Sequence, residues 1–279
     1  MKLSDLKIVF IGGGNMASAI IGGLIKQGAL AKHIRVADPS VDCQTRLTDN
    51  FGIETHPSMH SMTQVISEAH VLVIAVKPQQ FKEVAQAYTS LQLASHPLLF
   101  SVAAGIRTTD MSRWTKNPKI IRAMPNTPAL INQGMTGLFA SASTNAEDRK
   151  IAEIICQAMG SFVWVEHEQL MDTVTAISGS GPAYFFAFIE AIEKAGIAQG
   201  LDAASARKLS IQTALGAAML AEQSSDSPSV LREKVTSKGG TTYAALQVFE
   251  NMDLQGLVTA ALEAARARGA EMGDELGRD

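Results

Sequence analysis

The chain has 279 residues, enough for two ordinary domains and for a hydrophobic core that needs neither disulfides nor metal. Its 24 lysines and arginines stand against 27 aspartates and glutamates, and this net charge of −3, with no local basic cluster, disfavours nucleic-acid binding. Cys43 and Cys156 have no companions at metal-ligand spacing, so we expect neither a zinc site nor a disulfide scaffold. No signal-peptide core and no long apolar stretch is present, so we expect a cytoplasmic protein with no membrane partner.

Short apolar runs alternate with helical patterns up to about residue 165. Several runs are β-branched and apolar at nearly every position, which is typical of parallel strands covered on both faces. The alternation predicts a doubly wound parallel α/β domain over residues 1–165. The runs are Lys7–Ile11, Ile34–Ala37, Val71–Val76, Leu98–Val102, Lys119–Ala123 and Phe162–Val165.

The rest of the chain, residues 166–279, contains no strand-like run and is rich in alanine, which predicts an all-helical domain. Its last segment places apolar residues on one helix face from Leu254 onwards. Four positions carry residues typical of helix starts, and we expect caps at Ser180 with Pro182, at Asp202, at Ser227 with Pro228, and at Asp253.

The helical domain has little bulk with which to fill a core of its own. Residues 214–218 are small all round, which allows a second helix to approach closely. We therefore expect a homodimer formed through the helical half.

The first motif is the turn Ile11–Ala17, which follows the first strand directly and opens a helix. Its G-x-G-x-x-A pattern assigns Gly12 to the turn, Gly14 to the approach of a pyrophosphate, and Ala17 to close helix packing. A strand, a turn and a helix in this order predict a dinucleotide site rather than glycines that serve backbone geometry alone.

Asp38 ends the second strand, 24 positions after Gly14, where an acidic residue binds a ribose 2′-hydroxyl. Such a residue favours NADH. The segment is also an ordinary turn, and Ser40, Arg35 and Arg46 are alternative contacts for a 2′-phosphate. The sequence leaves the choice between NADH and NADPH open.

Two further strand ends belong to the same edge of the predicted sheet, Ala75–Pro78 and Ala103–Gly105. Lys77 is in isolation an ordinary solvated lysine, and residues 103–105 in isolation are a tight turn. Open α/β sheets bind ligands at the carboxyl ends of their strands, so we interpret both segments as candidate cofactor contacts. Met124–Pro128 forms a rigid loop after a later strand.

Two loops in the helical half, Ser178–Pro182 and Val235–Thr242, combine serine, threonine and glycine and run into helices. Capping and tight turns are the simpler explanation for each loop. Two such loops in one domain instead favour a carboxylate site made from main-chain N–H groups, hydroxyls and a helix dipole.

The sequence lacks the motifs of hydrolytic and metal chemistry. The six histidines show no metal-binding spacing, and no G-x-S-x-G elbow is present, so we expect no metal. Hydride transfer needs neither nucleophile nor metal, because the cofactor carries the chemistry and the protein positions the reactants.

From about Lys7 to Arg268 the chain resembles the pyrroline-5-carboxylate reductase family. The resemblance is carried by the motifs described above, and the segments Ser178–Tyr184 and Thr236–Thr242 are its most specific parts. It implies a Rossmann-type domain followed by a helical dimerisation domain, and reduction of 1-pyrroline-5-carboxylate, a small molecule, to L-proline in the last step of proline biosynthesis. It implies NADPH as the cofactor with NADH as the alternative, and a homodimer assembled further into a decamer.

The resemblance also implies roles for individual residues. Thr242 is the implied catalytic residue, which orients the ring nitrogen of the substrate. The implied cofactor contacts are Ile11, Gly12, Gly13, Gly14, Asn15, Met16, Asp38, Ser40, Ala75, Val76, Lys77, Pro78, Ala103, Ala104 and Gly105. The implied substrate contacts are Glu168, Ser237, Gly239, Gly240, Thr241 and Thr242.

The chain departs from the family pattern at two places. Many members carry Ser or Thr where this chain has Asp38, and many carry an Asn in the neighbourhood that here reads His60–Thr63. The first departure leaves the choice between NADPH and NADH open, and we do not carry over the Asn contact. The alternative functions are a β-hydroxyacid dehydrogenase, whose lysine motif is missing here, and a dinucleotide sensor, which leaves the loop 235–242 without a role.

Overall fold

The computed structural model describes residues 2–278, which pack into two compact units. The first unit contains residues 2–180 and 265–278 of the described chain, and the second contains residues 181–264. The predicted domain limits, 1–165 and 166–279, follow chain order rather than packing and stay a prediction.

The first unit is built on a sheet of eight strands in the order β3-β2-β1-β4-β5-β6-β7-β8. All neighbours pair in parallel except β6 and β7, which are antiparallel. The doubly wound α/β prediction is confirmed. The strands are β1 (Ile8–Ile11), β2 (Ile34–Ala37), β3 (Glu54–His56), β4 (Val71–Ile74), β5 (Leu98–Ser101), β6 (Ile120–Met124), β7 (Gly134–Ala140) and β8 (Gly160–Trp164).

Both faces of the central strands are buried, which explains their unbroken apolar sequences. In β1, Ile8 and Phe10 join the core cluster on one face, and Val9 and Ile11 join the cluster on the other. Every side chain of β1 and β4 is buried.

Helices cover both faces of this sheet. The helices of the first unit are α1 (Asn15–Lys26), α2 (Val41–Phe51), α3 (Thr63–Ser67), α4 (Phe81–Ser90), α5 (Thr108–Thr115), α6 (Ala146–Gln157) and α7 (Leu170–Val174). The final helix, α12 (Leu254–Leu276), begins in the second unit and ends in the first.

Two strands were not predicted. The three-residue strand β3 is partly exposed, so it lacks the apolar run that marks a buried strand. The strand β7 contains two glycines and a threonine, and its glycines are required by packing. A Cβ at Gly134 lies 2.9 Å from Ala129 Cα, and one at Gly137 lies 2.4 Å from a methyl carbon of Val174.

The second unit is entirely helical over its described residues, as predicted. Asp202 accepts a hydrogen bond from the Ser205 N–H at 2.9 Å, and Ser227 accepts one from the Val230 N–H at 3.4 Å, so both predicted caps are confirmed. The Asp253 carboxylate accepts from the Gly256 N–H at 3.0 Å. The helices are α8 (Gly181–Ala198), α9 (Ala203–Gln223), α10 (Pro228–Lys234), α11 (Thr241–Asn251) and the first part of α12.

The predicted cap at Ser180 is wrong. Ser180 has helical backbone angles (φ −86°, ψ −19°), and its N–H donates to the Thr175 carbonyl at 2.8 Å. The reason is that residues Thr175–Gly179 form a π-helical turn, which carries the backbone from α7 into α8 without a break.

Large apolar side chains are exposed on the helices of the second unit. Phe185 is 70% exposed on α8, Leu215 is 50% exposed on α9, and Met252 after α11 is 76% exposed. So many exposed large apolar side chains in one unit are typical of an interaction site. None of the helices within residues 2–278 is both long enough and apolar enough to span a membrane.

Candidate active site

The glycine-rich turn connects β1 to α1 and is shaped by contact with the neighbouring strand end. Gly12 has φ +92°, and a Cβ there lies 2.6 Å from the Ala75 carbonyl oxygen. The Gly12 N–H donates to the Ala37 carbonyl at 2.8 Å, which ties the turn to β2 as well. Only glycine satisfies both the backbone angle and the space at this position.

Gly14, by contrast, faces open space. A Cβ there has no neighbour within 4 Å, and Gly14 is exposed at the start of α1. In the described structure this helix begins without a side-chain cap, so its first N–H groups are available to a ligand. Open space in front of an uncapped helix N-terminus is the geometry that binds phosphate.

Asp38 closes the turn from the side of β2. Its Oδ2 accepts from the Gly13 N–H at 2.8 Å, and its Oδ1 accepts from the Ser40 N–H at 2.9 Å. Ser40 itself caps α2 by accepting from the Cys43 N–H at 3.3 Å. The carboxylate therefore has a fixed position at the end of β2.

The Cys43 thiol lies behind the same turn. Its Sγ donates to the Gly13 carbonyl at 2.9 Å, and the Arg46 guanidinium donates to the same carbonyl at 3.0 Å. Burial raises the pKa of the Cys43 thiol, and the Asp38 carboxylate raises it further. Cys43 is therefore a packing thiol rather than a nucleophile.

A cleft of about 510 Å³ opens at the carboxyl ends of β1, β2 and β4. It brings together seven of the predicted cofactor residues: Ile11, Gly12, Gly14, Asp38, Ala75, Val76 and Lys77. The rest of its lining was not predicted from the sequence, and consists of Ala37, Pro39, Pro57, Ser58, Met59, His60, Gln80, Glu83, Val84 and Ala87. His60 thus lines the cleft in the neighbourhood where many family members carry Asn.

The other predicted cofactor residues lie beside this cleft rather than in its lining. Gly13 is buried against Leu47 and Cys43, which a Cβ would meet at 2.6 and 2.7 Å. Asn15 and Met16 form the first turn of α1, and Pro78 starts the short helical turn before α4.

The segment Ala103–Gly105 follows β5 and is held on two sides. The Ala103 N–H donates to the Ser101 hydroxyl at 3.2 Å, and Ala103 is buried. Gly105 has φ +78°, and a Cβ there lies 3.2 Å from the Leu276 side chain at the end of α12. These residues place little side-chain bulk at the end of β5.

The loop Met124–Pro128 packs against the π-helical turn through Asn126. The Asn126 amide donates to the carbonyl and the hydroxyl of Ser178, both at 3.2 Å, and its oxygen accepts from the Met135 N–H at 2.9 Å. A Cβ at Gly179 lies 2.5 Å from the end of the Met124 side chain. In the structure this motif therefore fixes the start of the helical half.

The loop 235–242 in the second unit presents the uncapped N-terminus of α11. The Gly240 N–H donates to the Ser237 carbonyl at 3.0 Å, and Gly239 has φ +74°. A Cβ at Gly240 lies 2.8 Å from the Ser237 hydroxyl oxygen. Thr241 and Thr242 are exposed in the first turn of α11, which has no side-chain cap in the described structure.

Glu168 is engaged by the protein itself. Its two oxygens accept from the N–H and the hydroxyl of Thr108, both at 2.7 Å, and the Arg122 guanidinium lies 3.2 Å away. Asp172 lies 3.7 Å from the same guanidinium. Arg122 and Thr108 were not singled out in the sequence, where an arginine in a strand and a threonine at a helix start carry no distinctive pattern.

Two family models match the chain. Residues 168–272 match one described as pyrroline-5-carboxylate reductase dimerisation. Residues 7–105 match one described as NADP oxidoreductase, coenzyme F420-dependent.

Named proteins are similar over nearly the whole chain. A pyrroline-5-carboxylate reductase of Pseudomonas aeruginosa is 42% identical over 277 residues, which cover 99% of this chain and 100% of that one. A solved structure of such a reductase from Coxiella burnetii superposes with a TM-score of 0.91 at 38% identity, covering 96% of this chain and 98% of that one. A pyrroline carboxylate reductase of Plasmodium falciparum, solved with NADP bound, gives a TM-score of 0.83 at 27% identity, covering 98% and 100%.

Proposed function

The chain belongs to the pyrroline-5-carboxylate reductase family, and from this premise we propose the role of each part of its site. It is an NAD(P)H-dependent oxidoreductase that reduces 1-pyrroline-5-carboxylate to L-proline, the last step of proline biosynthesis. The observation that carries this function is the 42% identity over the full length of a named reductase.

The residues present fit a dinucleotide. A Cβ at Gly12 would strike the neighbouring strand end, whereas Gly14 leaves open space before the free N–H groups of α1. We assign the pyrophosphate to these N–H groups, from Gly14 to Met16, because the Gly13 N–H already donates to Asp38. The ribose and adenine then occupy the cleft that Asp38, Met59 and Val84 line.

The nicotinamide end of the cofactor belongs with the ends of β4 and β5. Residues Ala75–Pro78 and Ala103–Gly105 supply small or rigid side chains at this edge of the sheet. A flat apolar surface supports one face of the ring and keeps water from it. When bound, NAD(P)H would supply the hydride here.

The substrate carboxylate belongs at the N-terminus of α11. The Ser237 hydroxyl and the N–H groups of Gly239 and Thr241 can donate to it, and the helix dipole favours its negative charge. The Gly240 N–H donates to the Ser237 carbonyl and so holds the loop in shape. No lysine or arginine is needed for this contact. Glu168 acts within the first unit, where it holds the start of α5.

Thr242 orients the ring nitrogen. The hydride adds to the carbon of the protonated C=N bond, and the π electron pair becomes the nitrogen lone pair of proline. A threonine hydroxyl is too weak an acid to protonate the imine, so its contribution is positioning. It accepts a hydrogen bond from the iminium N–H and thereby fixes the orientation of the C=N bond.

The chain forms homo-oligomers through its dimerisation region. We propose a dimer as the basic unit, because the exposed apolar side chains of α8, α9 and α11 supply the surface it needs. We propose further that dimers assemble into a decamer, which light scattering tests as a mass ten times the 29.7 kDa of one chain. A mass of two chains at all concentrations would contradict the decamer. We place the enzyme in the cytoplasm, where two free thiols are stable.

The reaction is tested by following NADH and NADPH absorbance with purified protein and 1-pyrroline-5-carboxylate, and by measuring the proline formed. We expect one proline for each nucleotide oxidised. A control without substrate gives the background oxidation. Folded protein that turns over neither nucleotide would overturn the proposed function.

A further inference from the structure

The structure also bears on which nicotinamide nucleotide the chain selects, a question that its sequence leaves open. We infer that Asp38 makes the chain prefer NADH over NADPH. This inference rests on the proposed function only in taking the cleft as the site of a nicotinamide nucleotide.

The Asp38 carboxylate cannot easily leave the cleft. Two main-chain N–H groups, of Gly13 at 2.8 Å and Ser40 at 2.9 Å, each bind one of its oxygens. The Gln44 amide also donates to the Asp38 carbonyl at 2.7 Å, which fixes the backbone of the same residue. A side chain held at this many points keeps its charge at the end of β2, whichever nucleotide enters.

Its remaining hydrogen-bonding capacity matches hydroxyl groups. A carboxylate has about four acceptor sites, and the two N–H groups use two of them. The remaining sites can accept from the ribose hydroxyls of NADH. At neutral pH a 2′-phosphate has passed its second ionisation, so it has no proton with which to donate a hydrogen bond to Asp38. It would also bring negative charge against a fixed carboxylate.

The nearby arginines are committed elsewhere. The Arg46 guanidinium donates to the Gly13 carbonyl at 3.0 Å, behind the turn. The Arg35 guanidinium donates to the Lys32 carbonyl at 2.6 Å and pairs with Glu54 at 2.7 Å. Neither lines the cleft beside Asp38.

Two basic side chains do line the cleft, Lys77 and His60. Lys77 follows β4, and β1 lies between β4 and β2 in the sheet. His60 follows β3, the strand next to β2, and its Nε2 is hydrogen-bonded to the Ser90 hydroxyl at 3.0 Å. Among its described lining residues the cleft thus offers a 2′-phosphate a fixed carboxylate, a lysine two strands away and a histidine that already has a hydrogen-bond partner.

The test is a pair of dissociation constants, measured for NADH and NADPH by the fluorescence of the bound nucleotide. We expect the unmodified protein to bind NADH about tenfold tighter or more, and Asp38→Asn to shift the ratio towards NADPH by about tenfold. Asp42→Asn is the matched control, because it removes an exposed carboxylate from the first turn of α2 outside the cleft and should leave the ratio unchanged.

Three results would overturn the inference. The first is equal or tighter binding of NADPH by the unmodified protein, a measurement that needs no variant. The second is an unchanged ratio in folded Asp38→Asn. The third is a selective loss of NADPH binding in Arg46→Ala, which would show that Arg46 recruits the 2′-phosphate. A binding ratio that favours NADH in a protein that fails to reduce 1-pyrroline-5-carboxylate would contradict the proposed function and leave this inference standing.

Discussion

Arg122 Nη1 lies 3.2 Å from Glu168 Oε1, and this contact joins the buried strand β6 to the segment that leads into α7. The guanidinium is only 5% exposed and the carboxylate 16%. Because both oxygens of Glu168 also bind Thr108, the pair fixes the start of α5 and the Ala103–Gly105 segment just before it. Glu168 therefore borders the site by holding its walls.

Glu168→Ala should lower the free energy of unfolding by about 2 kcal/mol or more, because it leaves a buried guanidinium with only the more distant Asp172 and removes the cap of α5. Urea denaturation measures the loss. Glu166→Ala removes an exposed carboxylate two residues away and should cost little. Equal midpoints for the two variants would show that the buried pair contributes nothing.

Gly12→Ala should reduce the stability of the fold, whereas Gly14→Ala should reduce nucleotide binding. At Gly12 a methyl group meets the Ala75 carbonyl at 2.6 Å with φ +92°, so we expect a loss of thermal stability. At Gly14 the methyl enters open space, so the fold should persist while the affinity for NAD(P)H falls about tenfold. Melting temperatures and nucleotide titrations separate the two effects. A destabilised Gly14→Ala that still binds nucleotide normally would contradict this assignment.

Thr242→Ala should lower kcat/KM for 1-pyrroline-5-carboxylate by one to two decades, about 1.4 to 2.7 kcal/mol of transition-state stabilisation. The loss should appear mainly in kcat, since the carboxylate contacts of Ser237 and Gly239 are untouched. Thr242→Ser keeps the hydroxyl and should recover most of the activity. Full activity in the alanine variant removes Thr242 from the mechanism.

Stability should fall below neutral pH because of His70. Burial lowers the pKa of His70, and the nearby Lys7 ammonium lowers it further, while its Nδ1 accepts from the Lys7 N–H at 2.9 Å. The unfolded chain therefore binds the proton more readily, so the free energy of unfolding falls as the pH drops through about 6.5 and levels off below the folded-state pKa.

Denaturation midpoints at pH of about 7.5 and 5.5 measure this effect. His70→Asn retains an acceptor for the Lys7 N–H but cannot titrate, so the difference between the two midpoints should shrink. The same substitution at the exposed His167 is the control and should leave the difference unchanged. An unaltered pH dependence in His70→Asn would assign it to other groups.

The buried strands were predictable because burial on both faces requires an apolar residue at every position, as in β1 and β4. The strand β7 has no such unbroken apolar run. Its glycines are required by close packing against Ala129 and Val174. These contacts form only in the folded chain, so they produce no periodic pattern in the sequence. The same reason explains Ser180, whose sequence is typical of a cap but whose position is set by the π-helical turn before it.

Some parts of the site could likewise be predicted from the sequence, and others could not. The turn Ile11–Ala17 was recognisable because glycine is required there by the backbone itself. The segment Pro57–His60 was not recognisable, because its residues form no motif. They line the cleft only because the strand order of the sheet places them there. Arg122 likewise acquires its partner from a segment 46 residues further along the chain.

The last stretch of α12 completes the first unit. Leu276 packs into one of the two core clusters of the sheet, Asp274 pairs with Arg107, and the Gly277 carbonyl accepts from Arg113 at 2.8 Å. These residues follow the second unit along the chain, so they are synthesised after it. The nucleotide-binding half, although most of it is encoded first, must therefore wait for a segment beyond the second unit before its packing is finished.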